Sequence, residues 1–262
     1  IWLALAQFVS TPIFAADATE DFIDVNESLS LDNTSQAQTK TFNFGKNVIY
    51  TRNGKIALNG QGGKKDLTIN VKNGSGDFIV RDRYAPIQLD NSDIHLKFNS
   101  NLVMEGMEYA GIMYSSGNVP RELNITGDFI YRDSYATAIE ASTGNFRGNL
   151  FVITIDGKAD LRNVSIHGNG KTTASGSLLN LGATDFEAKQ GVFIDNIDGN
   201  TAGDWNTAIF LVNGSLKAEN QNIEITNINF NVASRVNTSI YVQSSPVKAK
   251  NILIKGLTNK YD

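Results

Sequence analysis

Two stretches of this 262-residue chain carry the charged side chains that could do chemistry. "GDFIVRDRYAPI" (76–87) and "GDFIYRDSYATAI" (127–139) share eight of their first ten positions at a shift of 51 residues. They supply Arg81 with Asp82, and Arg132 with Asp133; "MEGMEYA" (104–110) lies between them with Glu105. Two carboxylates about 5 to 9 Å apart are the machinery of glycoside hydrolysis. The alternative catalytic set is therefore Asp82, Glu105 and Asp133 with Arg81 and Arg132. The competing reading is a surface ladder, in which Arg81, Glu105 and Arg132 form one column of alternating sign. Alternation removes like-charge repulsion between neighbouring strands. We favour the ladder.

Other chemistry is scarce. There is no cysteine, which excludes disulfides, thiolate metal sites and cysteine nucleophiles. His95 alternates with Ile94 and Leu96, as an outward strand position does, and His167 beside Gly168 reads as a turn. "NGSGDF" (73–78), "GQGGKKD" (60–66) and "DNIDGN" (195–200) lack the spacing of calcium loops and read as turns. No metal or cofactor is expected. The net charge of −4 and the absence of a basic stripe exclude nucleic acid as a partner.

The elements that position these residues are repeats. Phe42, Ile69, Leu96 and Leu123 each begin an apolar-x-apolar triplet, and each step is 27 residues. A second series runs Ile56-x-Leu58, Ile87-x-Leu89, Ile112-x-Tyr114, Ile139-x-Ala141, Leu179-x-Leu181, Ile209-x-Leu211 and Ile240-x-Val242. A third comprises Phe186, Leu216 and Val247, and a fourth Val164, Val192, Ile223 and Ile252. Alternate side chains on a strand share a face, so each triplet marks a short strand with two inward residues. A period of 20 to 50 residues marks a solenoid or propeller. The 27-residue step divides the four-stranded blade that a 51-residue period would allow, and no helical stripe is present. The fold class is therefore all-β: a right-handed parallel β-helix of about seven to eight rungs, three short strands per rung. Residues 166–177 read as a loop insertion. Tyr84, Tyr109 and Tyr135 align as an expected corner stack, followed by Ala85, Ala110 and Ala136.

Domain organisation follows. Residues 1–18 read as the back half of a secretory signal peptide, cleaved after Ala18 or Ala15, its basic start lying upstream of the chain. Residues 19–40 read as a polar N-terminal cap, and 41–262 as the β-helix, truncated at its C-terminal end. Past the leader no apolar run reaches membrane-spanning length.

A signal-like start, no cysteine and Asn/Gly-rich repeats of about 27–31 residues together resemble the passenger of a bacterial autotransporter. The resemblance covers about residues 19–262 and rests on architecture and composition. It implies a non-enzymatic adhesin or display stalk, carried to the bacterial cell surface or beyond through an outer-membrane translocator barrel that this chain lacks. Its implied partners are a host surface protein, a glycan or sibling cells, with the membrane reached only through that barrel. The alternative function is a β-helix polysaccharide lyase or glycoside hydrolase. A phage-tail or surface-layer component of similar architecture is a third reading.

Overall fold

A computed structural model describes residues 21–31, 35–51, 56–59, 63–81, 86–90, 93–114, 119–141, 151–167, 176–200, 205–230 and 236–259. Three parallel sheets of eight, nine and seven strands wrap one interior. The chain visits them in a fixed order. The strand Lys65–Val71 lies in the first sheet, Asp77–Arg81 in the second and Ile87–Asp90 in the third, after which the cycle repeats. The third sheet's seven strands bound about six turns, slightly fewer than the seven to eight rungs expected.

Inward apolar positions stack on one another. In the third sheet Ile56, Ile87, Ile112, Ile139, Leu179, Ile209 and Ile240 form one column, as the triplet series requires. All but Ile240 are fully buried. The 51-residue duplication spans two rungs: Phe78 pairs with Leu102, and Leu102 with Phe129. Aromatic rings fill the interior, with Tyr114 and Phe151 at 4.3 Å and Phe78 and Phe98 at 5.3 Å between centroids.

Two registers differ from the sequence series. Ile69 pairs with Phe98 rather than Leu96, and Leu67 takes Leu96. Val192 pairs with Ala159 rather than Val164, whose partner is Ile197. The first shift is two residues, which preserves which face each side chain occupies, so hydropathy cannot detect it. The second arises because Ala159 and Leu161 form the inward pair, and alanine carries little apolar signal.

The second sheet bends, and the bend explains Asp133. Asp133, Asn163, Asn196 and Asn227 have φ of 50°, 55°, 56° and 53°, with Gly106 at 67° and Gly256 at 68° in the flanking rungs. This left-handed region penalises most side chains but is open to glycine and tolerated by Asn and Asp. The column also bonds to itself. Asn163 Nδ2 donates to Asp133 Oδ1 at 3.2 Å, and Asn196 Nδ2 to Asn163 Oδ1 at 2.9 Å. Asn227 Nδ2 donates to Asp195 Oδ1 at 2.8 Å. A second such column joins the first sheet to the second. There the amide of Asp77 donates to Asn47 Oδ1, that of Asp128 to Asn101 Oδ1, and that of Lys158 to Asp128 Oδ1, at 2.8–3.0 Å. The abundant asparagines thus close the corners between rungs.

The N-terminal segment is partly sheet. Phe22–Val25, inside the stretch read as a cap, pairs with Asn47–Tyr50, and the strand Gln38–Phe44 begins before residue 41. The leader assigned to 1–18 lies outside the described residues. At the other end Asn251–Asn259 is exposed along its length. His167 ends the strand Ala159–His167 rather than forming a turn. The expected tyrosine stack meets a register correction. Ala110 pairs with Thr137, so Tyr109 stands level with Ala136 and not with Tyr135. Tyr135 is 55% exposed, and Tyr84 and Ala85 lie outside the described residues.

Candidate functional site

The charged column on the second sheet forms as a continuous ladder. Arg81 pairs in register with Glu105, Glu105 with Arg132, Arg132 with Arg162, and Arg162 with Asp195. Glu105 is clasped from both sides. Arg81 Nε donates to its Oε2 at 2.9 Å, and Arg132 Nε to its Oε1 at 2.8 Å. Partial burial works to raise the Glu105 carboxyl, but the bonds from Arg132 and Arg81 outweigh it and hold it below its ordinary value. Arg162 turns instead to Asp160 in its own strand, at 2.8 Å from Nε to Oδ1, and Lys158 Nζ reaches Asp160 at 3.2 Å. The Asp195 carboxyl is lowered by the Thr226 hydroxyl at 2.6 Å, against partial burial, with the Asn227 amide assisting. Asp133 sits in the corner ladder, and Asp82 lies outside the described residues.

The first sheet carries an imidazole among acids. His95 Nε2 lies 3.0 Å from Asp93 Oδ1, while Nδ1 lies 3.4 Å from Glu122 Oε2 and 3.9 Å from Asp66 Oδ1. Asp66 and Glu122 are its register neighbours below and above. Among the described residues no group of three or more His, Asp or Glu side chains is arranged to hold a metal ion. The geometry is that of a half-exposed polar cluster of one imidazole and three carboxylates.

The third sheet is chemically different. The column between the inward pairs consists of the middle residues of the triplets: after Ala57 come Gln88, Met113, Glu140, Asn180, Phe210 and Tyr241, each paired in register with the next. Each middle residue points away from the interior because its two neighbours point in. Glu140 is 7% exposed and Asn180 3% exposed. Among the described residues Glu140 Oε2 and Asn180 Oδ1 have no hydrogen-bond partner. Burial pushes the Glu140 carboxyl up to about 7. Next along the column, Phe210 and Tyr241 stack at 5.2 Å between centroids with planes 11° apart. Gln88 Nε2 approaches Met113 Sδ at 3.8 Å.

Sequence reasoning found the flanking residues of every triplet and passed over the middle ones. Reading that middle position down the series would have exposed a run of amide, thioether, carboxyl, amide and two aromatics. Glu140 is separated from the aromatic pair by Asn180, and its raised carboxyl reflects burial alone.

No protein-family model matches the chain, and neither curated proteins nor solved structures provide a match.

Proposed function

We propose that this chain is the binding or display solenoid of an exported bacterial surface protein, carried out through an outer-membrane translocator barrel. The observation that carries the reading is the state of the charged column. Glu105 is clasped by arginines on both adjacent rungs, and Asp133 is engaged in the corner ladder. These carboxylates serve rung-to-rung bonding, as expected of a regular scaffold. The absence of cysteine suits a chain that crosses membranes unfolded, and rung-on-rung contacts let such a chain fold progressively as it emerges.

The carbohydrate-active alternative gains from one observation, the raised carboxyl of Glu140, which has the character of a general acid. Glycoside hydrolysis ordinarily needs a second carboxyl, and the described column around Glu140 contributes none. Protease treatment of intact producing cells tests the main reading. Cleavage of the chain at the surface supports it, and full protection refutes it. Release of reducing ends or unsaturated sugars from pectins, alginates or glycosaminoglycans, abolished by Asp82→Asn, Asp133→Asn or Glu140→Gln, would establish the enzyme instead.

A further inference from the structure

We propose that Asn73–Gly74 is a spontaneous modification site, where the backbone nitrogen of Gly74 closes on the Asn73 side chain and converts it to aspartyl and isoaspartyl products. The inference is independent of what the chain binds. It rests on a comparison that the solenoid itself supplies. The tripeptide Asn-Gly-Ser occurs among the described residues at 73–75 and again at 213–215. Both asparagines have left-handed backbones, with φ of 53° and 54°. The local chemistry is the same, so the fold sets any difference in reactivity.

The first copy is open. It forms a single 3-10 turn, Lys72–Gly74, between Lys65–Val71 of the first sheet and Asp77–Arg81 of the second. Asn73, Gly74 and Ser75 are all exposed. The Ser75 N–H donates to the Lys72 carbonyl and the Gly76 N–H to the Val71 carbonyl, each at 3.2 Å, the long end of the normal range. Gly74 has a φ of 95°, and a Cβ built on it would meet nothing within 4 Å. Glycine leaves the backbone free to rotate, so the Gly74 nitrogen can reach the Asn73 Cγ without displacing a neighbour.

The second copy is closed. Gly214 is buried, and a Cβ built on it would lie 2.1 Å from the Thr184 carbonyl oxygen. Its N–H donates to Ser245 Oγ at 3.0 Å, and the Asn213 N–H donates to the Gln243 carbonyl at 3.1 Å. Ring closure there requires both bonds to break and the rung to open locally.

The reaction is a ring closure followed by hydrolysis. The Gly74 nitrogen gives its proton to solvent and attacks the Asn73 Cγ. The Cγ–Nδ2 bond breaks, ammonia leaves, and a five-membered succinimide forms. Water then opens the ring at either carbonyl. One opening gives aspartate, and the other gives isoaspartate, whose main chain runs through the side-chain carbon. Either product places a carboxylate next to Lys72, whose ammonium holds Asp21 at 2.6 Å.

Peptide mapping by mass spectrometry, on the full chain kept folded at mildly alkaline pH in oxygen-18 water, tests the proposal. The Asn73 peptide should take up the label, yield both aspartyl and isoaspartyl forms, and convert at least about tenfold faster than the Asn213 peptide. In concentrated urea the two rates should converge. Gly74→Ala, with circular dichroism confirming the fold, should slow conversion at Asn73 about tenfold and leave Asn213 unchanged. Equal rates in the folded chain, or a faster Asn213, would overturn the proposal. So would a rate difference that persists in urea, which would place its cause in flanking sequence. Product at Asn73 that is aspartyl alone would mean direct hydrolysis by water and would remove Gly74 as the nucleophile.

Discussion

Replacing Glu140 with Gln isolates the effect of one buried carboxyl. In the folded chain this group titrates at about 7, against an ordinary value of 4.5. The folded state therefore holds a proton that the unfolded state has released throughout that interval. Stability falls with rising pH wherever the folded state binds more protons. The loss begins above about 4.5 and is complete above about 7. The difference of about 2.5 units corresponds to about 3 kcal/mol at 1.36 kcal/mol per unit. The physical source is desolvation: Glu140 is 7% exposed, and among the described residues its Oε2 has no donor to stabilise the ionised form. Glutamine keeps the shape and cannot ionise. The parent should lose about 2.5 kcal/mol of unfolding free energy between pH 5 and pH 8 from this group. Glu140→Gln should lose correspondingly less, the two profiles separating progressively above about pH 4.5 and running parallel above about 7. Urea unfolding monitored by far-UV circular dichroism at half-unit pH steps reads this directly. Parallel stability profiles for the parent and Glu140→Gln would refute the claim that this carboxyl is desolvated.

Other substitutions test the ladders. Glu105→Gln leaves Arg81 and Arg132 without their shared anion and should cost about 1 kcal/mol at pH 7 by chemical denaturation. Because the folded carboxyl is depressed, that stabilisation is present above its unfolded value of 4.5 and disappears as pH falls through the folded value; an equal cost at pH 2.5 would contradict the ion-pair reading. Asn196→Ala places a Cβ with no ladder bond at a φ of 56° and should cost about 1–3 kcal/mol, whereas Asn196→Gly should cost less. The reverse order in thermal melts would rule out backbone conformation as the reason for the Asn. Tyr114→Phe removes a buried hydroxyl that donates to the Gly182 carbonyl at 3.1 Å and should cost about 1 kcal/mol in the same assay.

The solenoid was legible because its inward pairs must be apolar and must recur once per turn. Ile56 to Ile240 announce the third sheet, and Arg81, Glu105 and Arg132 announce one outward column. Three things were hidden, each for a physical reason. Register shifts of two residues, as at Ile69 and Phe98, leave every side chain on its own face. The left-handed corner at Asp133, Asn163, Asn196 and Asn227 depends on backbone angles that an asparagine permits but does not require. Asp133 consequently looked like a free carboxylate in the sequence, and in the structure it accepts a bond from the next rung. The Glu140 column occupies the variable position of a motif recognised by its constant ones, so its coherence becomes apparent only when the rungs are stacked.

The stacked-rung account places Glu140 and Asn180 side by side in one column of the third sheet. The chain has no cysteine, so an engineered pair reports proximity without background. Cα atoms on neighbouring strands are about 4.8 Å apart, within disulfide range, while those two strands apart are about 9.6 Å, beyond it. Glu140→Cys with Asn180→Cys should therefore cross-link on mild oxidation, giving a compact, reductant-sensitive band. Glu140→Cys with Phe210→Cys, two strands apart, should not. Cross-linking of the Glu140–Phe210 pair in preference to the Glu140–Asn180 pair would contradict the register, and with it the stacked-rung architecture.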